Sequence, residues 1–278
     1  MRSGGQHEWD EICRVRRSFR GLLGGAVICV VALFASSAAA QEWAKPRLNN
    51  SPRHGEWVEY KSGDRTLKAF VVYPERKEKA PVVIVIHEIF GLTDWARGVC
   101  DQLAEAGVIA IAPDLVSGQT LPDVDSVRKA VSALPKEQVF ADLNATAEYA
   151  AKIPASNGIL AVAGFCWGGG WTFGYATVNP KLKAAYSFYG PALNDAADVA
   201  KVSCPVFGFY AANDERVNAS IPKAEELMKA AGKTYEPVTY AGAGHGFMRA
   251  GEAPEASPEN KKAREDAWAR WKTLLKQL

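Results

Sequence analysis

The sequence predicts an α/β fold: a mostly parallel central sheet with helices on both faces and an antiparallel hairpin at its N-terminal side. Three observations predict it. Short β-branched runs alternate with helix-length segments from residue 81 onward, the pattern of crossover connections between parallel strands. The runs PVVIVIH (81–87) and VIAIA (108–112) are apolar at nearly every position, as strands covered on both faces must be. Two strand-like runs near the front are separated only by SGDR, a turn sequence.

Each element has its own warrant. Residues 57–60 and 67–73 (LKAFVVY) form the hairpin. Strand 81–87 leads into a helix over 92–106, where Leu92, Ala96, Val99, Cys100 and Leu103 recur at helical spacing. Strand 108–112 follows. Residues 113–135 are polar with scattered prolines and read as a surface excursion with a short helix at 126–133. A helix over 137–153, a strand over 159–163 and a helix over 168–178 come next. The runs AAYSFY (184–189), CPVFGFY (204–210) and YEPVTY (235–240) are strands, with a helix over 221–231 between the last two. A closing helix over 257–275 carries Ala263, Ala267, Trp268, Trp271 and Leu274 on one stripe.

The first 40 residues do not belong to this fold. Arg14, Arg16, Arg17 and Arg20 precede an uncharged run over 21–34, followed by Ser36, Ser37 and Ala38-Ala39-Ala40. Basic region, short apolar region and small-residue site are the parts of a secretory signal, with cleavage expected after Ala40. The apolar run is shorter than the roughly 20 residues a spanning helix needs, so an uncleaved anchor is the weaker alternative. Arg16-Arg17 followed by Phe19 fits a twin-arginine signal as well as a general one. The expected location is a bacterial periplasm or the exterior, and residues 41–278 form one domain.

The formal charge of +2 resides entirely in that leader, where Arg2 joins the four arginines against Glu8, Asp10 and Glu11. The remaining chain is neutral, and no basic patch invites nucleic acid or an anionic membrane surface. Of five cysteines, Cys13 and Cys29 lie in the leader. Cys100, Cys166 and Cys204 remain, an odd number that leaves at least one thiol unpaired within the chain. No histidines at ligand spacing suggest a metal, and no G-x-G-x-x-G or phosphate loop suggests a cofactor. The chain is expected to need neither. A monomer is the favoured state.

Sites of such folds lie at the carboxyl ends of the strands. Gly164-Phe165-Cys166-Trp167-Gly168 stands between a strand and a helix. It is G-x-S-x-G with cysteine in the serine position, the sharp turn that exposes a nucleophile. A thiol at a helix N-terminus is favoured as thiolate by the dipole. It still needs a base. Beyond the leader the histidines are His54, His87 and His245. His54 lies in a polar segment, and His87 precedes the cysteine. His245, in AGAGHGF after the last strand, satisfies the order nucleophile, acid, histidine. The acid should follow the strand CPVFGFY, in AANDERV: Asp214 is the natural candidate and Glu215 its local competitor. Two backbone N–H groups should receive an oxyanion, that of Trp167 and, from the loop after PVVIVIH, that of Ile89.

Taken together, HEIFG (87–91), GFCWGG (164–169), NDERV (213–217) and AGHGFMR (243–249) resemble the dienelactone hydrolases, and the likeness runs over nearly all of residues 41–278. The resemblance implies an α/β-hydrolase fold and hydrolysis of a small ester or lactone. It implies a triad of Cys166, Asp214 and His245, and a Glu88 that contacts the resting thiol and moves when substrate enters. It further implies that Arg249 binds a substrate carboxylate. The likeness departs at three places. Arg128 is the only arginine in 113–135, where the family has a second carboxylate-binding arginine; His87 precedes the glutamate; and Trp167 is bulkier than an aliphatic residue. Phe90, Trp95, Trp167, Tyr189 and Phe247 are the aromatic candidates for a pocket lining, with Phe90, Tyr189, Phe247 and Arg249 the expected substrate contacts. The leading expectation is acyl transfer through a thioester on Cys166. A general esterase for other small esters is the alternative, and a non-catalytic binding protein on the same fold a more distant one.

Overall fold

The computed structural model describes residues 39–278, so the leader expected over residues 1–40 lies almost wholly outside the described residues. A 3-10 turn, Ala39–Ala44, leads into α1, Lys45–Asn49. The hairpin is β1, Gly55–Ser62, and β2, Arg65–Val72, closed by a two-residue turn at Gly63 and Asp64. There follow β3, Ala80–Ile86; α2, Asp94–Glu105; β4, Ile109–Asp114; α3, Val124–Ser132; α4, Lys136–Lys152; and β5, Ser156–Phe165. Then come α5, Trp167–Tyr175; β6, Leu182–Phe188; α6, Ala196–Ala200; and β7, Val206–Asn213. The chain ends with α7, Glu215–Asn218; α8, Ile221–Ala230; β8, Tyr235–Gly244; α9, Phe247–Ala250; and α10, Pro258–Leu275.

The eight strands lie in the order β1-β2-β4-β3-β5-β6-β7-β8. β2 pairs antiparallel with both β1 and β4, and every later pair is parallel. Strand alternation splits the β-branched runs between two cores. Val83 and Val85 join the core under α2 and α10, beside Trp95, Leu103 and Trp271. Val82, Ile84 and Ile86 join the opposite core, with Val139 and Leu143 of α4, Phe173 of α5 and Met228 of α8. Each such side chain, fully removed from water, contributes about 1.5–3 kcal/mol. Residues 81–86 of the run PVVIVIH are apolar because both faces of the strand are covered.

Helix starts follow the caps in the sequence. Thr93 accepts from the Ala96 N–H, Asp123 from Ser126 and Ser257 from Asn260. Buried charge is paired: Arg53 grips Asp101 through Nε and Nη2, both at 2.8 Å, and Ser51 donates to the same carboxylate. Among the described residues no helix is long and apolar enough to cross a membrane.

The strand order determines where chemistry can collect. β3, β5, β6, β7 and β8 are consecutive parallel neighbours, so the loops after Ile86, Phe165, Phe188, Asn213 and Gly244 open at one edge of the sheet.

Candidate functional site

The turn after β5 is forced to be small. A Cβ at Gly164 would stand 2.2 Å from the Gly168 carbonyl oxygen, and one at Gly168 would stand 2.4 Å from the Ile86 oxygen. With both positions bare, the backbone bends sharply and Cys166 adopts φ 55° and ψ −114°, a conformation L-residues rarely occupy. The Cys166 N–H donates to the Phe188 carbonyl at 3.0 Å, which ties the bend to β6. The sulfur projects from the start of α5.

His245 follows the last residue of β8, and the left-handed Gly246 turns the chain into α9. The imidazole Nδ1 donates to Asp214 Oδ2 at 2.5 Å, which leaves Nε2 to accept from the Cys166 thiol at 3.1 Å. Asp214 follows β7, is buried, and caps α7 by accepting from the Val217 N–H. Tyr189, after β6, meets the His245 ring edge-on at 5.2 Å. The sulfur, imidazole and carboxylate thus form one chain of hydrogen bonds contributed by three strand ends. Glu215, the competing acid, is exposed on α7.

The backbone N–H groups of Trp167 and Ile89 both act to lower the Cys166 thiol's pKa, the sense in which donors near a sulfur favour its thiolate. The Glu88–Ile89 peptide is held from its other side: its carbonyl accepts from His87 Nδ1 at 2.7 Å and from the Gly91 N–H at 3.1 Å. A trans peptide aims its N–H opposite to its carbonyl, so these two bonds direct the Ile89 N–H toward the thiol. His87 is fully buried, burial pushes its pKa down, and its Nε2 accepts from the Leu115 N–H. It serves the loop and is spent as a base.

Burial, and after it the Glu88 carboxylate, push the Cys166 thiol up to about 11. The resting sulfur is therefore a thiol. The structure does not bring Glu88 into hydrogen-bond contact with it. The buried Glu88 carboxylate instead accepts from Arg249 Nε at 2.8 Å, so its effect on the thiol acts through space. The same bond changes the expectation for Arg249, whose guanidinium is committed to Glu88 and lies over the Phe90 ring at 5.2 Å. Arg128 approaches that ring too, at 6.0 Å.

A cavity of about 580 Å³ opens at the sulfur. Ile89, Cys166, Trp167 and Tyr189 line it, as do Trp171, Phe140, Leu193, Lys136 and Arg216. Arg249, Phe90 and Phe247 do not. Phe247 is buried in the core against Tyr189 and Tyr240, because α9 turns it inward. Trp95 is buried against Phe165, with its Nε1–H donated to Glu252. Trp171, Phe140, Leu193, Lys136 and Arg216 are among the lining residues absent from the sequence-based expectation. Trp171 carried a signal, standing one helical turn after Trp167; Phe140 carried none. Among the described residues no three His, Cys, Asp or Glu side chains gather as a metal site, and Cys100 and Cys204 are buried free thiols.

The chain is similar to known proteins over most of its length. Residues 67–278 match the profile of the "Dienelactone hydrolase family". A protein of Methylorubrum extorquens named "Putative carboxymethylenebutenolidase" is 36% identical over 200 residues, 66% of this chain and 69% of that one. A protein of the same name from Salmonella typhi is 35% identical over 197 residues, 65% of this chain and 73% of that one. The crystal structure named "Putative Dienelactone Hydrolase" from Klebsiella pneumoniae superposes with a TM-score of 0.73 at 30% identity, over 81% of this chain and 99% of that one. With this sheet order and these relatives, the fold is that of the α/β hydrolases, and the chain belongs to the dienelactone hydrolase family, a hydrolase of ester or lactone bonds.

Proposed function

We propose that the protein hydrolyses small carboxylic esters or lactones through an acyl-thioester on Cys166, with His245 as proton carrier and Asp214 as its orienting acid. The supporting observation is the chain of hydrogen bonds from the sulfur through the imidazole to the carboxylate, at 3.1 Å and 2.5 Å, with the Trp167 and Ile89 N–H groups favouring the thiolate. The thiol attacks the ester carbonyl carbon while His245 Nε2 takes its proton. The carbonyl oxygen becomes an oxyanion and is received by the N–H groups of Ile89 and Trp167. Collapse of the tetrahedral intermediate breaks the carbon–oxygen bond, and the imidazolium returns its proton to the departing alkoxide. Water then attacks the thioester, its proton going to His245. The second collapse releases the carboxylic acid and the sulfur, which recovers its proton from the imidazolium. Asp214 holds the neutral tautomer in line and stabilises the imidazolium.

Glu88 keeps the waiting sulfur protonated by charge repulsion and protects it from adventitious alkylation and oxidation. A panel of p-nitrophenyl esters and small lactones tests the reading. Cys166→Ala should abolish turnover of every ester the wild type hydrolyses. Wild-type rates in a folded Cys166→Ala protein would refute it.

The leader is part of the same proposal: residues 1–40 export the enzyme, so its substrate is met outside the cytoplasm. A fusion of residues 1–45 to a reporter active only after export should give signal, and a cytoplasmic fusion protein would refute export.

A further inference from the structure

The cavity at the sulfur has an aromatic wall that the chemistry above does not use. Trp167 and Trp171 stand one turn apart on α5, with ring centroids 5.7 Å apart and planes at 60°. Phe140 of α4 meets Trp171 edge-on, at 5.4 Å and 89°. Trp167 is held from behind by the buried His87 ring, stacked at 5.7 Å and 12°. All three wall rings are half-buried and line the same cavity as the Cys166 sulfur. Tyr189, Pro191 and Leu193 line it as well, without adding a charge.

Large rings normally go inside, because each can bury about 150–250 Å² of surface. Here the core takes Trp95, Trp271, Phe165, Phe173, Phe188 and Phe209, all fully buried. Three contiguous rings left half in water, one turn from a nucleophile, are the composition of a ligand cleft. Their mutual edge-on packing fixes their planes, so a flat guest can lie against ring faces and edges already in place. The volume, about 580 Å³, holds more than a single small ring.

The charges of the cleft point the same way. Lys136 lines it with its ammonium 5.6 Å from the Phe140 ring, and Arg216 lines it with its charge reaching the Cys166 sulfur. The lining carboxylate, Asp198, is bonded to Lys201 at 3.1 Å. The positive balance suits a neutral or anionic guest. Arg249 is outside the cleft and paired with Glu88.

We propose that this cleft is the specificity site and selects esters carrying a planar aryl group, neutral or anionic, seated on the Trp167–Trp171–Phe140 wall. The inference rests on Cys166 being the nucleophile, but the wall can be read by binding alone. The substrates are 2-naphthyl acetate, methyl 2-naphthoate, their ring-saturated counterparts and methyl acetate; 2-naphthoate serves as a competitive inhibitor.

Wild type should favour at least one naphthyl ester over its saturated counterpart. Trp171→Ala should lower kcat/KM for that ester about tenfold, chiefly through KM, and raise Ki for 2-naphthoate about as much. The loss should be several-fold larger for that naphthyl ester than for methyl acetate, and Trp171→Phe should restore most of it. Equal effects on all substrates, or none on the naphthyl esters, overturn the proposal. So does a saturated ring accepted as well as the flat one. If no ester is turned over but 2-naphthoate binds Cys166→Ala protein and loses affinity on adding Trp171→Ala, the wall stands and the nucleophile reading fails.

Discussion

Replacing Glu88 with glutamine should make Cys166 more reactive toward simple alkylating agents. Burial and then the Glu88 charge hold the thiol up at about 11. At pH 7 that leaves about one sulfur in ten thousand as thiolate. Glutamine keeps an oxygen for the Arg249 Nε–H, now bonded at 2.8 Å, so the loop should keep its shape. It removes the negative charge and leaves the Arg249 positive charge uncompensated, and both changes favour thiolate. Burial, the larger cause, stays. The thiol should therefore descend by about half to one unit, and its reaction with iodoacetamide at pH 7 should quicken about three- to tenfold. The assay is the alkylation rate of Cys166 by peptide mass against pH, with the melting temperature as a control for folding. An unchanged rate, or an inflection that moves upward in a folded variant, would show that Glu88 does not hold the proton on the sulfur.

Other outcomes follow from the same geometry. Asp214→Asn keeps a side-chain oxygen for the Val217 N–H but loses the charge opposite the imidazole, so kcat should fall about 10²–10⁴-fold with little change in melting temperature. Gly168→Ala drives a Cβ to 2.4 Å from the Ile86 oxygen and should cost about 1–3 kcal/mol in urea unfolding while misplacing the Trp167 N–H. Native protein should lose Cys166 alone to a thiol reagent among Cys100, Cys166 and Cys204, the other two reacting only after denaturation. Asp101, whose burial would raise its carboxyl, is held below its ordinary range by the hydrogen bonds from Arg53 and Ser51. Its stabilisation is present above about pH 4 and is lost as pH falls through the lower folded value. Asp101→Asn should cost about 1–3 kcal/mol at pH 7, and the difference from wild type should shrink in acid.

The long strands and helices were legible because periodicity and composition agree over many residues. PVVIVIH covers β3 except its first residue, Ala80, and runs one residue past its end, and the stripe ending in Trp271 and Leu274 is the buried face of α10. The order of glycine turn, acid and histidine placed Cys166, Asp214 and His245 on strand ends that the topology then brings together. What escaped was short. α6, α7 and α9 have four or five residues each, too few for a period to show. α9 matters here, because the sequence alone puts Phe247 and Arg249 together at the substrate. The helix instead sends Phe247 to the core and Arg249 to Glu88. Phe140 reaches the cavity from α4 only because α4 and α5 pack side by side, a contact between distant segments that no local pattern encodes.

The central claim is that the acyl group passes through one sulfur. Rapid quenching of the enzyme during turnover of a p-nitrophenyl ester, followed by peptide mass analysis, measures this directly. An increment equal to the acyl group on the peptide bearing Cys166, released by hydroxylamine, is the expected result. An acyl group found on a different residue, or full turnover by protein whose Cys166 has been completely alkylated, would contradict it.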